Sequence, residues 1–281
     1  MKKILLIIAI LFSLNNFCFA YPVSKSFPPF HIIGNLYYVG TDDLASYLIV
    51  TPKGNILINS DLPADPPMIK ANIEKLGFNY SDTKILLISH AHFDHAGGSQ
   101  LIKQQTHAKY EVMDADVPVI ESGGTSDFRY ANDVNAHFPP CKVDKILHDG
   151  DQVKLGGSVL TAHLTGGHTP GCTTWTMTVI DHGKSYHVVI VGSLNVNPGY
   201  KLINNVAYPT IAKDYEQAFR VSKSLPCDIF LGAHGRFFHL KEKYALLKEG
   251  GNPFVDPEGY KKYIALKEKI FYKKLKKQTE E

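Results

Sequence analysis

The segment His90-Ala91-His92-Phe93-Asp94-His95 places four possible metal ligands within six residues, directly after the apolar run Ile85 to Ile88. Imidazole mixed with carboxylate suits zinc. In a loop leaving a buried strand, alternate side chains can converge on one ion while Asp94 and His95 turn towards a second. The small residues Ala96-Gly97-Gly98 then let the next helix begin close by. A histidine-rich surface tract is the bland alternative, but this segment lies between a core strand and a helix start rather than in a tail. Two ions require further ligands, and two other loops leaving core strands offer them. Gly166-Gly167-His168-Thr169-Pro170-Gly171 follows a strand ending at Leu164, and Gly232-Ala233-His234-Gly235 follows Ile229 to Leu231. The remaining histidines, His31, His107, His137, His148, His163, His182, His187 and His239, have no partners at ligand spacing and read as surface or hydrogen-bonded residues. Asp61, after Ile56 to Ile58, could accept from a ligand histidine and fix its tautomer, or serve as a turn residue.

The elements that hold these loops follow from the apolar pattern. Short β-rich runs at Leu36 to Val39, Ser46 to Val50 and Ile56 to Ile58, broken at Gly34-Asn35, Gly40 and Lys53-Gly54, predict an antiparallel meander. An amphipathic helix is predicted over Asp65 to Leu76, led by Pro66-Pro67 and stopped at Gly77. Lys84 to Ser89 is a short, continuously apolar strand, buried on both faces. A helix from about Gly98, a strand at Lys109 to Met113 and a helix at Asp114 to Glu121 continue the alternation, and the turn-rich stretch Ser122 to Pro140 reads as a flexible connection. The second half begins again with strands at Asp151 to Leu155, Ser158 to Leu164, Thr173 to Ile180 and Tyr186 to Val191, then a helix at Ala212 to Leu225 and a strand at Ile229 to Leu231. Two halves, each a meander followed by α/β elements, predict a four-layer αββα sandwich. Tyr260, Tyr263, Ile264, Ile270, Phe271 and Leu275 predict a packed C-terminal helix face; its lysines read as solvated, with a membrane-surface role as the alternative.

Composition narrows the partners. The 281 residues are 44% hydrophobic and 20% charged, which is globular rather than disordered, and no repeat suggests a solenoid. Lys2-Lys3, the apolar run Ile4 to Leu14 and the small residues at Cys18 and Ala20 predict a secretory signal peptide over 1–20, followed by one domain over 21–281. Phe17 disfavours a lipid-accepting role for Cys18. Loss of Lys2 and Lys3 with the leader lowers the formal charge from +3 to +1, so neither nucleic acid nor a membrane is expected as partner; a small molecule is, in a monomer located in the periplasm. Cys141, Cys172 and Cys227 then remain, an odd number compatible with one disulfide or with three buried thiols.

The run HxHxDH, then Gly-His-Thr-Pro-Gly, then a lone histidine after a late strand resembles the metallo-β-lactamase superfamily of binuclear zinc hydrolases, across essentially the whole mature chain. The resemblance implies two Zn2+ ions, one held by His90, His92 and His168 and the other by Asp94, His95 and His234. After Val188 to Val191, lactonase-like and glyoxalase II branches carry a bridging Asp, whereas Gly192-Ser193 stands here. Ser193 together with His95 resembles subclass B3. The resemblance further implies that Ser193 and Asn195 bind the substrate carboxylate, that Tyr200 binds substrate and stabilises the oxyanion, and that Asp94 orients the nucleophile. Three departures stand out: Tyr260 where the subclass often pairs a cysteine with the one matching Cys227, Asn195 for a second serine, and Gly235-Arg236 after the last ligand.

Two zinc ions about 3.5–4 Å apart can lower the pKa of a shared water to about 7, supplying a hydroxide without a serine or cysteine nucleophile. The expected function is hydrolysis of the β-lactam amide of penicillins, cephalosporins and carbapenems, conferring antibiotic resistance. The alternatives are another binuclear hydrolase, such as a lactonase, and a non-catalytic periplasmic zinc-binding protein. The latter would require closed four-ligand sites, whereas three ligands per ion leave a position open for catalysis.

Overall fold

The computed structural model describes residues 24–280, so the leader read over 1–20 and Cys18 lie outside the described residues. Strands β1 (Phe30–Ile33), β2 (Leu36–Tyr38), β3 (Tyr47–Thr51) and β4 (Gly54–Ile58) form the expected antiparallel meander. Helix α1 (Pro66–Lys75) carries the chain to β5 (Thr83–Leu87), which pairs parallel to β4. Helices α2 (Phe93–Ala96) and α3 (Ser99–Thr106) lead to β6 (Lys109–Met113), and α4 (Val117–Glu121) and a long turn-rich stretch lead to β7 (Lys145–Leu147). Both strands add in parallel, completing a seven-stranded sheet in chain order.

The second half repeats the plan. Strands β8 (Gln152–Leu155), β9 (Ser158–Leu164), β10 (Thr173–Asp181) and β11 (Lys184–Val191) form a meander. Helix α5 (Ile211–Ser224) crosses to β12 (Ile229–Gly232), parallel to β11, giving the order β12-β11-β10-β9-β8. Helices α6 (Leu240–Leu246) and α7 (Pro257–Glu280) end the chain. Two sheets face to face with helices outside make the αββα sandwich.

Strand alternation explains why the first sheet is buried on both faces. Tyr47, Ile49, Ile56, Ile58, Ile85 and Leu87 join the core between the sheets, while Leu48, Leu57 and Leu86 join a second core with Ile69, Ile73 and Ile102 of α1 and α3. Truncating one such residue to alanine costs about 2–5 kcal/mol. The sandwich also anchors the loop after β5 directly. Trp175 Nε1 of β10 donates to the Ile88 carbonyl at 2.9 Å, and Thr173 N donates to the Ser89 carbonyl at 2.7 Å.

Several local expectations change. Residues 114–116 form a 3₁₀ turn and only Val117–Glu121 is α-helical, because Pro118 suits the first turn of a new helix. The short elements β7 and α6 carry no periodic run long enough to announce them. The stretch Ser122 to Pro140 is packed rather than a loose connection: Asp127, Ala136 and Phe138 are buried, and Asp127 Oδ1 accepts from the N–H groups of Arg129 and Tyr130. On α7, Tyr260, Tyr263, Ile264 and Phe271 are buried as expected, but Ile270 is exposed. Cys141, Cys172 and Cys227 are all free thiols, and burial raises the pKa of each.

Candidate metal centre

The histidine loop begins where β5 ends, and its backbone is held before any side chain is considered. Ser89 N donates to Asn59 Oδ1 at 2.8 Å, and Ala91 N donates to Asp116 Oδ2 at 2.8 Å. The same Asp116 carboxylate accepts from Thr169 Oγ1 and from Gly171 N, so one buried group staples the loop of His90 and His92 to that of His168. Burial raises the Asp116 pKa to about 6 in spite of these three donors. Close approach also demands small residues. A Cβ on Gly98 would lie 2.4 Å from the Ser60 carbonyl oxygen, and Gly167, at φ +121°, packs against the Tyr215 ring.

Three imidazoles, His90, His92 and His168, converge with ligand atoms within 4.8 Å of one another. His90 Nδ1 faces the Ser89 hydroxyl at 3.1 Å, while its buried Nε2 has no partner. His168 Nδ1 donates to the Asn195 carbonyl at 2.8 Å, which leaves Nε2 free to coordinate. His92 Nε2 points to Asp127 Oδ2 at 3.7 Å, which leaves Nδ1.

The second group is equally compact. Asp94 Oδ2 lies 3.4 Å from His95 Nε2 and 3.6 Å from His234 Nε2, and the two nitrogens are 3.2 Å apart. Three ligands at zinc–nitrogen and zinc–oxygen bond lengths around a tetrahedral ion would be separated by about 3.3 Å. His90 is within 4.8 Å of Asp94 and His95 as well, so the two sites adjoin. His234 Nδ1 lies 3.1 Å from Asp43 Oδ2, which Arg236 also binds.

Electrostatics favour a cation at both sites. Burial, followed by neighbouring histidines, holds His90 and His95 well below the ordinary imidazole range. Burial likewise lowers His92 to about 4, His168 to about 3, and His234 in the same direction. Neutral imidazole is the ligand form, and the orphaned His90 Nε2 is the buried polar atom that a zinc ion would satisfy. The donor set fits two zinc ions.

The other expected residues fare unevenly. Asp61 is buried in a left-handed conformation and accepts from Ser46 Oγ at 2.8 Å rather than from a ligand histidine. The carboxylates that face ligand histidines are Asp43, at His234, and Asp127, at His92. Tyr200, expected to bind substrate, is 2% exposed, and its hydroxyl donates to the His168 carbonyl at 2.8 Å. That bond ties the 193–200 loop to the His168 loop. Ser193 is buried, its Oγ accepting weakly from Asn195 N at 3.3 Å, whereas Asn195 is half-buried beside α7. Asp116, Asp127 and Asp43 escaped the sequence reading, since each lies in a short turn where aspartate is ordinary.

Residues 40–234, more than half of the chain, match the family model described as the metallo-beta-lactamase superfamily. The chain belongs to that superfamily. Among solved structures, native FEZ-1 metallo-beta-lactamase from Legionella gormanii is 68% identical, with 92% of this chain and 99% of that chain covered and a TM-score of 0.91. BJP-1, a subclass B3 metallo-beta-lactamase of Bradyrhizobium japonicum, is 39% identical, with 91% and 96% covered and a TM-score of 0.86. Two hydroxyacylglutathione hydrolases from strains of Rhodopseudomonas palustris are similar at lower identity. One is 29% identical over 45% of this chain and the other 26% identical over 75% of it. The chain spans 40% of the length of the first and 70% of the second.

Proposed function

We propose that this superfamily member is an exported zinc-dependent β-lactamase that hydrolyses the lactam amide of penicillins, cephalosporins and carbapenems and thereby confers resistance to them. The observation that carries the reading is the pair of three-ligand clusters, with Ser193 where a bridging aspartate would stand, in a chain 68% identical to FEZ-1. Zinc bound there supplies a Lewis acid for the carbonyl and a hydroxide at neutral pH. The protein's part is to hold six ligands in a largely buried cluster, with the Asp94 side chain 24% exposed at its edge. Asp94, with Oδ2 turned to His95 and His234, has its second oxygen left to hold the proton released by the attacking water and return it to the departing nitrogen. Export is supported by the lysines and apolar run of the leader, and no helix among the described residues is long and apolar enough to cross a membrane.

A second reading, thioester hydrolysis, is favoured by the match to the hydroxyacylglutathione hydrolases and opposed by Ser193, which cannot bridge two ions as a carboxylate does. The deciding assay is ring opening of a penicillin, a cephalosporin and a carbapenem beside hydrolysis of a glutathione thioester, with chelator and then with restored zinc. Chelator-sensitive, zinc-rescued lactam turnover is expected. Thioester turnover without lactam turnover would transfer the function to the second reading.

A further inference from the structure

Arg236 is one of the positions at which the chain departs from the subclass it resembles, and it stands against a ligand. His234 Nε2 faces Asp94 and His95, so ligation through that atom requires the proton on Nδ1, where Asp43 Oδ2 at 3.1 Å accepts it. Arg236 Nη1 lies 2.8 Å from the same Nδ1 and donates to the same Asp43 oxygen. Phe237 fixes this placement: its ring centroid is 5.5 Å from the guanidinium carbon and 4.9 Å from the His234 ring. The first cluster meets different groups. His90 and His168 face the neutral Ser89 hydroxyl and Asn195 carbonyl, and His92 faces Asp127.

The arginine opposes ligation by His234 in three ways. A guanidinium N–H cannot donate to a protonated Nδ1, so the contact favours the tautomer with its proton on Nε2, the atom that must be bare to hold an ion. A fixed positive charge repels a dication at the ligand it touches. The guanidinium also draws on the carboxylate that would otherwise strengthen His234 as a donor. Ordering of Asp43 is no compensating gain, because backbone groups provide it. Arg236 N donates to Asp43 Oδ1 at 3.1 Å, and Gly235 N donates to the Asp43 carbonyl. What the side chain adds is a charge and a competing donor.

We propose that Arg236 lowers the zinc affinity of the Asp94, His95 and His234 site, so that the two sites fill in sequence and the second ion is held only when zinc is plentiful. Arg236 is a positioning residue that acts through His234 and Asp43. When zinc is scarce the chain keeps one ion, at His90, His92 and His168. The inference rests on the two-ion centre of the proposed function and not on its substrate.

The test starts from metal-free protein in three forms: wild type, Arg236→Gln and, as a control for overall charge, Lys241→Gln. Lys241 pairs with Asp42 at 2.8 Å rather than with Asp43. Both side chains are more than half exposed, so both variants should fold, which melting temperature checks. Zinc binding is read by calorimetry against a competing chelator, and the His234 proton by the nitrogen-15 shifts of its imidazole. Wild type should take two ions with separate affinities. Arg236→Gln should tighten the second step about tenfold, the low end of the effect of changing an outer partner, and leave the first unchanged. In the metal-free protein it should also move His234 from the Nε2–H form towards the Nδ1–H form. Lys241→Gln should change neither reading. An unchanged or weaker second step in Arg236→Gln, equal tightening of both steps, or equal tightening in Lys241→Gln would overturn the proposal. Failure of wild type to take a second ion would overturn it together with the two-ion centre. Absence of lactam turnover with these binding results intact would overturn the β-lactamase reading alone and leave the role of Arg236 standing.

Discussion

The two ligand clusters are built from similar residues but differ in charge and surroundings. His90, His92 and His168 are three neutral imidazoles, all buried, and two of them are oriented by neutral groups, the Ser89 hydroxyl and the Asn195 carbonyl. Asp94, His95 and His234 include an anion whose side chain is 24% exposed, with a second anion, Asp43, behind His234. A dication in the first cluster would keep most of its charge for polarising a carbonyl. In the second it would be partly neutralised and nearer solvent, suited to proton handling at the mouth. Asp127 stands behind His92 of the first cluster as Asp43 stands behind His234 of the second, so what makes the two sites unequal is the carboxylate of Asp94 among the ligands of one of them.

The largest test of this inequality is Asp94→Asn. It removes the anionic ligand and the proposed proton carrier while leaving the three-imidazole cluster intact. Lactam turnover should fall on the order of a thousandfold. Zinc content should drop from two equivalents towards one. Full activity with both ions retained would erase the distinction between the clusters.

Asp116→Asn attacks the other cluster. Asp116 accepts from Ala91 N, Thr169 Oγ1 and Gly171 N, and an amide turns one acceptor oxygen into a donor facing donors. Each stranded donor costs roughly 1–3 kcal/mol, so thermal unfolding should shift down by several degrees. The ion held by His90, His92 and His168 should weaken more than its neighbour. An unchanged melting temperature would mean that the two loops hold their spacing without the staple.

The contrast between the clusters was only half legible in the sequence. The six ligands could be read because each lies in a loop leaving a core strand, with glycines close by in sequence, and β5, β9 and β12 lie close to where that pattern places them. The sandwich was legible for the same reason, through two meanders each followed by α/β elements. The orienting groups were not. Asp43, Asp116 and Asp127 reach their partners from 191, 25 or more, and 35 positions away in the chain, and locally each resembles a turn residue. Tyr200 shows a different limit of local sequence. Its place in the loop matched a substrate-facing role, yet packing against Phe128, with ring centroids 5.0 Å apart, and the bond to the His168 carbonyl turn its hydroxyl inward.

Asp43→Asn is a smaller perturbation aimed at the second cluster alone. An amide can still meet His234 Nδ1 but no longer carries the charge that raises imidazole basicity. Loss of such an outer partner lowers metal affinity by about 10–100-fold. Zinc titration should show the weakening at one site only, and a loss shared equally by both would mean that the clusters are coupled rather than independent.

Acidity gives the smallest and broadest effect. His92 and His168 are lowered to about 4 and about 3 in the folded zinc-free protein, chiefly by burial, against an ordinary value of about 6.5 for an unfolded histidine. Between pH 6.5 and about 4 the unfolded chain therefore binds protons that the folded chain excludes. Stability of the zinc-free protein must fall as pH falls through that window, and it must be complete with respect to these groups above pH 6.5. His234, whose folded pKa is also lowered, adds in the same direction. Zinc opposes the loss, because it occupies the nitrogens that protons would take, until acid displaces the metal. Melting temperature measured from pH 7.5 to 4.5 should decline steadily without zinc, and with zinc should hold level before dropping at a lower pH. Substituting Asp94 should shorten that level region more than substituting Asp127, because Asp94 sits inside a cluster and Asp127 stands 3.7 Å behind His92.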